Sequence, residues 1–275
     1  MPSAGGRPQY DRTCRSATTI SVGFTRRGGR ARSADRAYSA WAMSLGAGCS
    51  SNARVATRAD NHPTSRGRPM ARPTYIAVAG NIGCGKSTLV DFMCRTYDVQ
   101  PFYEPNATNP YLQDFYKDMK KWAFASQIYF LTHKFRIHQE LEAQRGRCTV
   151  VQDRTIFEDA EVFASYLHRR RFIDKRDWGV YHELYQTILG ALEPPDLMIY
   201  LKAPVRTIRQ RIKLRGRPEE QNIPVGYLRS LNKLYEEWFA AYNRSPTIVI
   251  ETEKMDYVSD LVDRIDVRRT IEQYL

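Results

Sequence analysis

Gly80, Gly85, Lys86 and Ser87 stand in the spacing G-x-x-x-x-G-K-[ST], within the stretch GNIGCGKST of residues 80–88. These side chains suit a chain of phosphates. The glycines let backbone N–H groups turn inward around phosphate oxygens, and a helix starting at the end of the loop adds positive potential. The lysine ammonium reaches the outer phosphates and the serine hydroxyl is placed to ligate Mg2+. Asn81, Ile82, Gly83, Cys84 and Thr88 complete the loop, Cys84 serving as a small side chain within it. The apolar run YIAVA precedes the stretch and a helical pattern comes after it, a context in which this motif binds a nucleotide rather than merely turning the chain. A nucleoside triphosphate, ATP with Mg2+, is the expected donor. The acceptor stays open at this point, because motors, switches and small-molecule kinases share the loop.

Four further stretches carry polar groups at informative places. FYEPNATNPYLQDFY (102–116) puts Glu104 just past an expected strand end, where parallel α/β sheets collect ligands and where a carboxylate can take a proton from a hydroxyl. TVVQDRT (149–155) ends an apolar run with Asp153, an acid suited to Mg2+, and Arg154, a cation suited to anionic oxygens. In RQRIKLRGRPEEQNIP (209–224), Arg211 and Arg215 share a helical face and Arg217 comes after the helix-ending Gly216, a grouping suited to a lid that closes over a transferring phosphoryl group. In WAFASQIYFLTHKF (122–135), Gln127 and Lys134 share a face across two helical turns. Each stretch also has a plainer reading taken singly: a solvated loop acid, a charged pair at a strand end, a basic surface helix, and polar residues at the margin of a long helix.

The elements that must position these groups alternate along the chain from residue 73 onward. Apolar runs at 74–80, 149–153, 196–203 and 247–252, with a shorter one at 98–104, predict buried strands. Helical stretches near 86–96, 119–145, 155–170, 177–191, 204–215, 224–243 and 257–273 separate them. Strands alternating with helices mean a parallel sheet covered by helices. No internal repeat and no second linker is visible, so residues 73–275 read as one domain.

Charge divides the chain differently. The net charge of +12 is concentrated in residues 1–72, which hold 13 Arg, no Lys and 3 Asp, a net of +10, and leave +2 for the rest. A nucleic-acid footprint is therefore not a property of the expected domain. The Arg-, Ser-, Ala- and Gly-rich segment 1–72 shows no sustained period and is expected to be disordered. Its composition fits an organelle transit peptide, a functionless extension with the domain opening near Met70, or a nucleic-acid-binding arm. A cytoplasmic location is expected, or a mitochondrial one if this segment is a transit peptide. No apolar run is long enough to cross a bilayer, so no membrane partner is expected. The five cysteines, Cys14, Cys49, Cys84, Cys94 and Cys148, form no C-x-x-C pair, which argues against a disulfide framework or a zinc site.

Taken together, GNIGCGKST, YEP, the Tyr116–Trp122–Gln127 series, DRT and LRGRPEEQNIPVGYL occur in the order and approximate spacing of the deoxyribonucleoside kinases, and residues 74–275 resemble that family. The likeness is closest to the bacterial enzymes and to the deoxycytidine/deoxyguanosine kinase branch. It implies an α/β fold of P-loop NTPase type, with a parallel sheet of about five strands flanked by helices, an Arg-rich lid and a homodimeric assembly. It implies transfer of the ATP γ-phosphate to the 5′-hydroxyl of a deoxynucleoside in nucleotide salvage. On this resemblance Glu104 matches the general base and Arg154 the arginine that positions the reacting oxygens. Arg211, Arg215 and Arg217 match the lid arginines, and Tyr116 with Glu220 the pair that binds the 3′-hydroxyl. Gln127, Asp159 and Phe163 match the groups that read and stack the nucleobase. Asp153 stands where the family usually has Glu, and Lys134 where its acid-pairing Arg is found. With Ser126 in place of an aromatic, these features favour deoxyadenosine or deoxyguanosine, then deoxycytidine. Two other readings stay open: a thymidylate-type kinase acting on a nucleoside monophosphate, and a P-loop ATPase regulator that docks through the basic segment.

Overall fold

In the computed structural model the described residues are 19–22, 74–104, 106, 108–255 and 260–273. The five expected apolar runs become strands: β2 (Tyr75–Ala79), β3 (Val99–Phe102), β4 (Thr149–Asp153), β5 (Leu197–Lys202) and β6 (Thr247–Glu251). A sixth, β1 (Thr19–Val22), lies in the segment expected to be disordered. Its four residues are too few for a period to register in the sequence, and its pairing with β6 is a long-range contact that sequence cannot display. The other expectations for residues 1–72 fall outside the described residues.

The sheet order is β1-β6-β5-β2-β4-β3, with every pairing parallel. A parallel sheet with helices on both faces buries its strands on both sides, which explains the unbroken apolar runs. All five residues of β2 are buried, as are those of β4. Register then decides what meets at the carboxyl edge. Val78 lies opposite Asp153 and Phe102 opposite Gln152, so the ends of β2, β3 and β4 stop nearly level, with the glycine loop, Glu104 and Arg154 side by side.

The helices are α1 (Lys86–Thr96), α2 (Leu112–Lys117), α3 (Met119–Gln144), α4, α5 (Lys175–Leu189), α6 (Val205–Arg215), α7 (Val225–Ala241) and α8 (Leu261–Glu272). Helix α4 is composite: it begins as Ile156–Glu158, widens to a π-helical turn at Asp159–Ala164 and finishes as Ser165–Arg169. The periodicity of 155–170 could not show the widened turn, because one inserted residue shifts the apolar pattern too little to see. Helix α2 was not expected either, since its Asn- and Pro-containing approach reads as loop. Leu89 and Met93 of α1, Ile208 of α6 and Leu231 and Tyr235 of α7 pack on the sheet. A second cluster of Leu131, Phe157, Ala160 and Tyr181 joins α3, α4 and α5.

Where β2 passes into the loop, Gly80 has φ 141°, and a Cβ there would sit 2.6 Å from the Leu201 carbonyl oxygen and 2.8 Å from Cys84 Sγ. A Gly80→Ala protein combines a positive φ with contact against backbone, and it should lose about 1–3 kcal/mol of stability in denaturant titration. Unchanged stability would mean that the loop is not fixed against β5.

Candidate active site

The loop between β2 and α1 is built to face an anion. Gly85, before the first residue of α1, adopts φ 108°, and no side chain caps the helix, so its leading N–H groups are left to the loop. Lys86 is buried, its Nζ donating to the carbonyl oxygens of Gly80 at 3.0 Å and Asn81 at 3.1 Å. Ser87 Oγ donates to Asp153 Oδ2 at 2.6 Å, and Asp153 Oδ1 is buried with no hydrogen-bond partner. One hydroxyl and one carboxylate with a spare oxygen fit Mg2+, which takes few protein ligands and completes its shell with phosphate and water. Among the described residues no group of three or more His, Cys, Asp or Glu could form a closed metal cage.

The loop is braced from below. Asn81 Nδ2 donates to Leu228 O at 3.1 Å and Asn232 Oδ1 at 2.8 Å, tying the loop to α7. Gly80 N donates to Glu158 Oε1 at 3.1 Å. Arg211 belongs to this bracing rather than to the cleft: Nη1 donates to Cys84 O at 2.8 Å and to Thr252 Oγ1 at 2.9 Å, and Arg211 is absent from the residues lining the cleft, whereas Arg215 and Arg217 are among them. Four residues advance a helix by about 6 Å. A shared face therefore sets Arg211 level with the loop and carries Arg215 past it, to bond Glu220 together with Arg217.

Just past the end of β4, Arg154 is held at φ 62°, a backbone state that costs a non-glycine residue about 1 kcal/mol or more. Its Nη1 donates to Glu104 Oε1 at 2.8 Å and its Nη2 to Gly80 O at 3.2 Å, while the guanidinium lies 4.5 Å from the Phe163 ring centre. Lys134 is fully buried behind this group. Its Nζ donates to Arg154 O at 2.5 Å and stands 3.8 Å from Glu104 Oε1 and 3.7 Å from Asp159 Oδ2. It does not line the cleft, so it reaches a ligand only through those acids. The sequence places Lys134 on the face shared with Gln127, but the lysine's extra length carries its ammonium to the ends of β4.

Burial would raise the Glu104 carboxyl, but Arg154, Lys134, Lys86 and the hydrogen bond from Asn106 together outweigh it and hold the pKa at about 2. Burial dominates at Asp159, with the negative charges of Glu104 and Glu158 adding to it against the opposing pull of Lys134 and Arg154, and pushes the carboxyl up to about 7. The cleft between these groups has an apolar wall of Leu112, Phe115, Phe130, Phe163 and Tyr227. Gln127, Tyr116 and Glu220 also line it. Five buried polar atoms lacking hydrogen-bond partners belong to residues of this lining: Gln127 Oε1, Asp153 Oδ1, Arg154 Nε, Asp159 Oδ2 and Arg215 Nε. Unsatisfied groups concentrated in one cleft are what a polar ligand would satisfy.

A family model for deoxynucleoside kinase matches residues 76–275. The chain belongs to the deoxynucleoside kinase family. It is 39% identical over 173 residues to a deoxyadenosine kinase of Dictyostelium discoideum, covering 62% of this chain and 69% of that one. It is 34% identical over 190 residues to a deoxyadenosine/deoxycytidine kinase of Bacillus subtilis (strain 168), covering 68% and 86%. The solved deoxyadenosine kinase of M. mycoides with bound dATP superposes with a TM-score of 0.61 at 31% identity, covering 71% of this chain and 97% of that one. The fold is accordingly of P-loop NTPase type, and the protein is a kinase that phosphorylates a nucleoside to its monophosphate. The thymidylate-type and regulator readings lose their ground.

Sequence reading of this deoxynucleoside kinase missed Glu158, which accepts from Gly80 N, Thr155 N and the Tyr235 hydroxyl. Its T-x-x-E spacing after Thr155 was a visible signal, but one that announces only a capping box. Asn232 and Thr252 gave no local signal at all.

The raised Asp159 carboxyl has a consequence for stability. Between its ordinary pKa of about 3.9 and about 7 the folded protein binds more protons than the unfolded chain, so this group's contribution falls as pH rises through that window. Wild type should therefore lose unfolding free energy relative to Asp159→Asn between about pH 4.5 and about pH 7.5 in parallel denaturant titrations. The opposite slope would mean that Lys134 stabilises the ionised form outright.

Proposed function

We propose that the protein transfers the γ-phosphate of ATP to the 5′-hydroxyl of a purine deoxynucleoside or deoxycytidine, with Glu104 accepting the hydroxyl proton. The observation that carries this reading is the sharing of one guanidinium: Arg154 bonds Glu104 at one end and the Gly80 carbonyl of the phosphate loop at the other. A hydroxyl seated at Glu104 is thereby brought to the mouth of that loop. Lys86, the start of α1, Arg215 and Arg217 hold the phosphates, and Ser87 and Asp153 would hold Mg2+, whose charge neutralises the phosphate oxygens. A carboxylate held at about 2 is a weak base. That suffices for phosphoryl transfer, in which the transition state is loose and positioning and electrostatics dominate.

Gln127 and Asp159 read the base edge and Phe163 stacks on its face. An ionised Asp159 accepts a hydrogen bond from the exocyclic amine of adenine or cytosine, whereas thymine, and guanine in the same place, present a carbonyl oxygen that this contact disfavours, which puts deoxyadenosine ahead of deoxyguanosine. Tyr116 and Glu220 hold the 3′-hydroxyl. The names of the relatives, deoxyadenosine, deoxyadenosine/deoxycytidine and deoxyguanosine kinases, support the same range. Homodimeric assembly, a cytoplasmic location and a role in salvage complete the proposal.

A turnover panel of the four deoxynucleosides with ATP and Mg2+ tests it, with deoxyadenosine expected to have the highest kcat/KM and thymidine the lowest. ADP formation that ignores added nucleoside would sink the acceptor assignment. Glu104→Gln should lower kcat by about 10²–10⁴ while KM for the nucleoside holds, because shape is kept and the proton acceptor is lost; an unchanged kcat would remove Glu104 from the chemistry. Asp159→Ala should narrow the gap between deoxyadenosine and thymidine, and an unaltered ranking would refute its base-reading role.

A further inference from the structure

Asp159 and Phe163 both sit on the π-helical turn of α4. A widened turn weakens regular helical bonding, and turns of this kind persist where tertiary contacts hold them and cluster at functional sites. Ala160, Val162 and Ala164 of this turn pack into the core and Asp159 stands 3.7 Å from Lys134 Nζ, while the polar contact on its outer side is made by Glu161, midway between Asp159 and Phe163 and so on the opposite side of the turn. Its Oε1 accepts from the Tyr185 hydroxyl of α5 at 2.6 Å and from Arg244 Nη2 at 2.6 Å. Its Oε2 accepts from Trp238 Nε1 of α7 at 2.7 Å and from Arg244 Nη1 at 3.1 Å. Four donors meet a group with about four acceptor directions, leaving none spare.

The donors are themselves fixed. The Arg244 guanidinium lies 4.8 Å from the Phe157 ring centre, and Trp238 packs edge-on to Tyr235 at 6.2 Å. One carboxylate thus ties the turn to α5, to α7 and to the segment beyond α7. Neither Glu161 nor any of its three partners lines the cleft. The phosphate loop is braced by Asn81, Asn232 and Arg211, and by Glu158, which lies on α4 before the widened turn and not beyond it. Loss of the clamp would let the turn relax to α-helical bonding, which shifts the register of the residues beyond it by one position and rotates the rest of α4 by roughly 100°. Phe163 would then leave the cleft wall while the loop stayed in place.

We infer that Glu161 is a positioning residue for nucleobase recognition: its clamp with Tyr185, Trp238 and Arg244 holds the widened turn in the register that presents Asp159 and Phe163 to the cleft. The inference rests on the proposed base-reading role of that pair. Glu161→Gln keeps the size but sets an amide N–H₂ against N–H donors. It should raise KM for deoxyadenosine about tenfold, the worth of one charge-assisted hydrogen bond, and narrow the deoxyadenosine-to-thymidine gap. KM for ATP and kcat should stay within about threefold of wild type. Trp238→Phe, which keeps a ring and removes one donor, should move the nucleoside KM in the same direction by less.

A merely structural role would lower the melting temperature without that split. An unchanged nucleoside KM, or equal rises in both KM values, overturns the inference. Should Glu161→Gln fail to fold, Trp238→Phe and Tyr185→Phe decide by the same criteria. If Asp159→Ala leaves the base ranking intact, the base-reading assignment has failed. If that ranking shifts but the clamp variants keep a wild-type nucleoside KM, only the positioning role of Glu161 has failed.

Discussion

The buried guanidinium of Arg154 is the constraint around which the site is arranged. It bonds the Glu104 carboxylate and the Gly80 carbonyl together, and it lies against Phe163. To do so its backbone takes a left-handed conformation at the end of β4, a cost borne by the hydrogen bond from Arg154 N to Val78 O and by Lys134 bonding its carbonyl. Glu104, the phosphate loop and the Phe163 ring are thus set by a single side chain, and moving it would misplace all three.

Around it stand Glu104, Lys134 and Asp159, each with a side chain less than a tenth exposed. Withdrawing such charges from water costs several kcal/mol each, and pairing returns that only where geometry is good. At Glu104 the pairing is close and its carboxyl is driven down. At Asp159 the cation stands 3.7 Å away and is already committed to a backbone carbonyl, so burial prevails and the carboxyl is driven up. Two acids beside one lysine thereby acquire opposite character, one always charged and one poised near neutrality. The unsatisfied atoms of Gln127, Asp153 and Asp159 belong to the same compromise, in which stability is given up so that a ligand can complete the bonding.

Much of this was legible beforehand. The buried strands β2, β4, β5 and β6 showed as apolar runs because a parallel sheet leaves no polar face, and α1 and α6 were visible to within a residue because the glycine loop and Gly216 mark their ends. Lys86, Ser87, Glu104, Asp153 and Arg154, which line one cleft, could be singled out beforehand because they stand at or just past the ends of apolar runs. By contrast β1, four residues paired to an edge more than 200 positions away, α2 and the widened turn of α4 left no trace, since none alters a local period.

The sequence alone determined the inventory: a phosphate loop, an acid and an arginine beyond neighbouring strands, and polar residues along the neighbouring helices. These are local facts of composition and spacing, and local facts survive in one dimension. Only the tertiary structure decided allegiance. It turned Arg211 onto the Cys84 carbonyl of the loop, drew Lys134 behind the acids, and gave Glu158 and Glu161, ordinary helix acids by spacing, their partners in the phosphate loop and on α5, α7 and the segment beyond α7. The physical reason is that a long charged side chain bonds whichever partners packing brings within reach, and those partners come from strands and helices far apart in the chain.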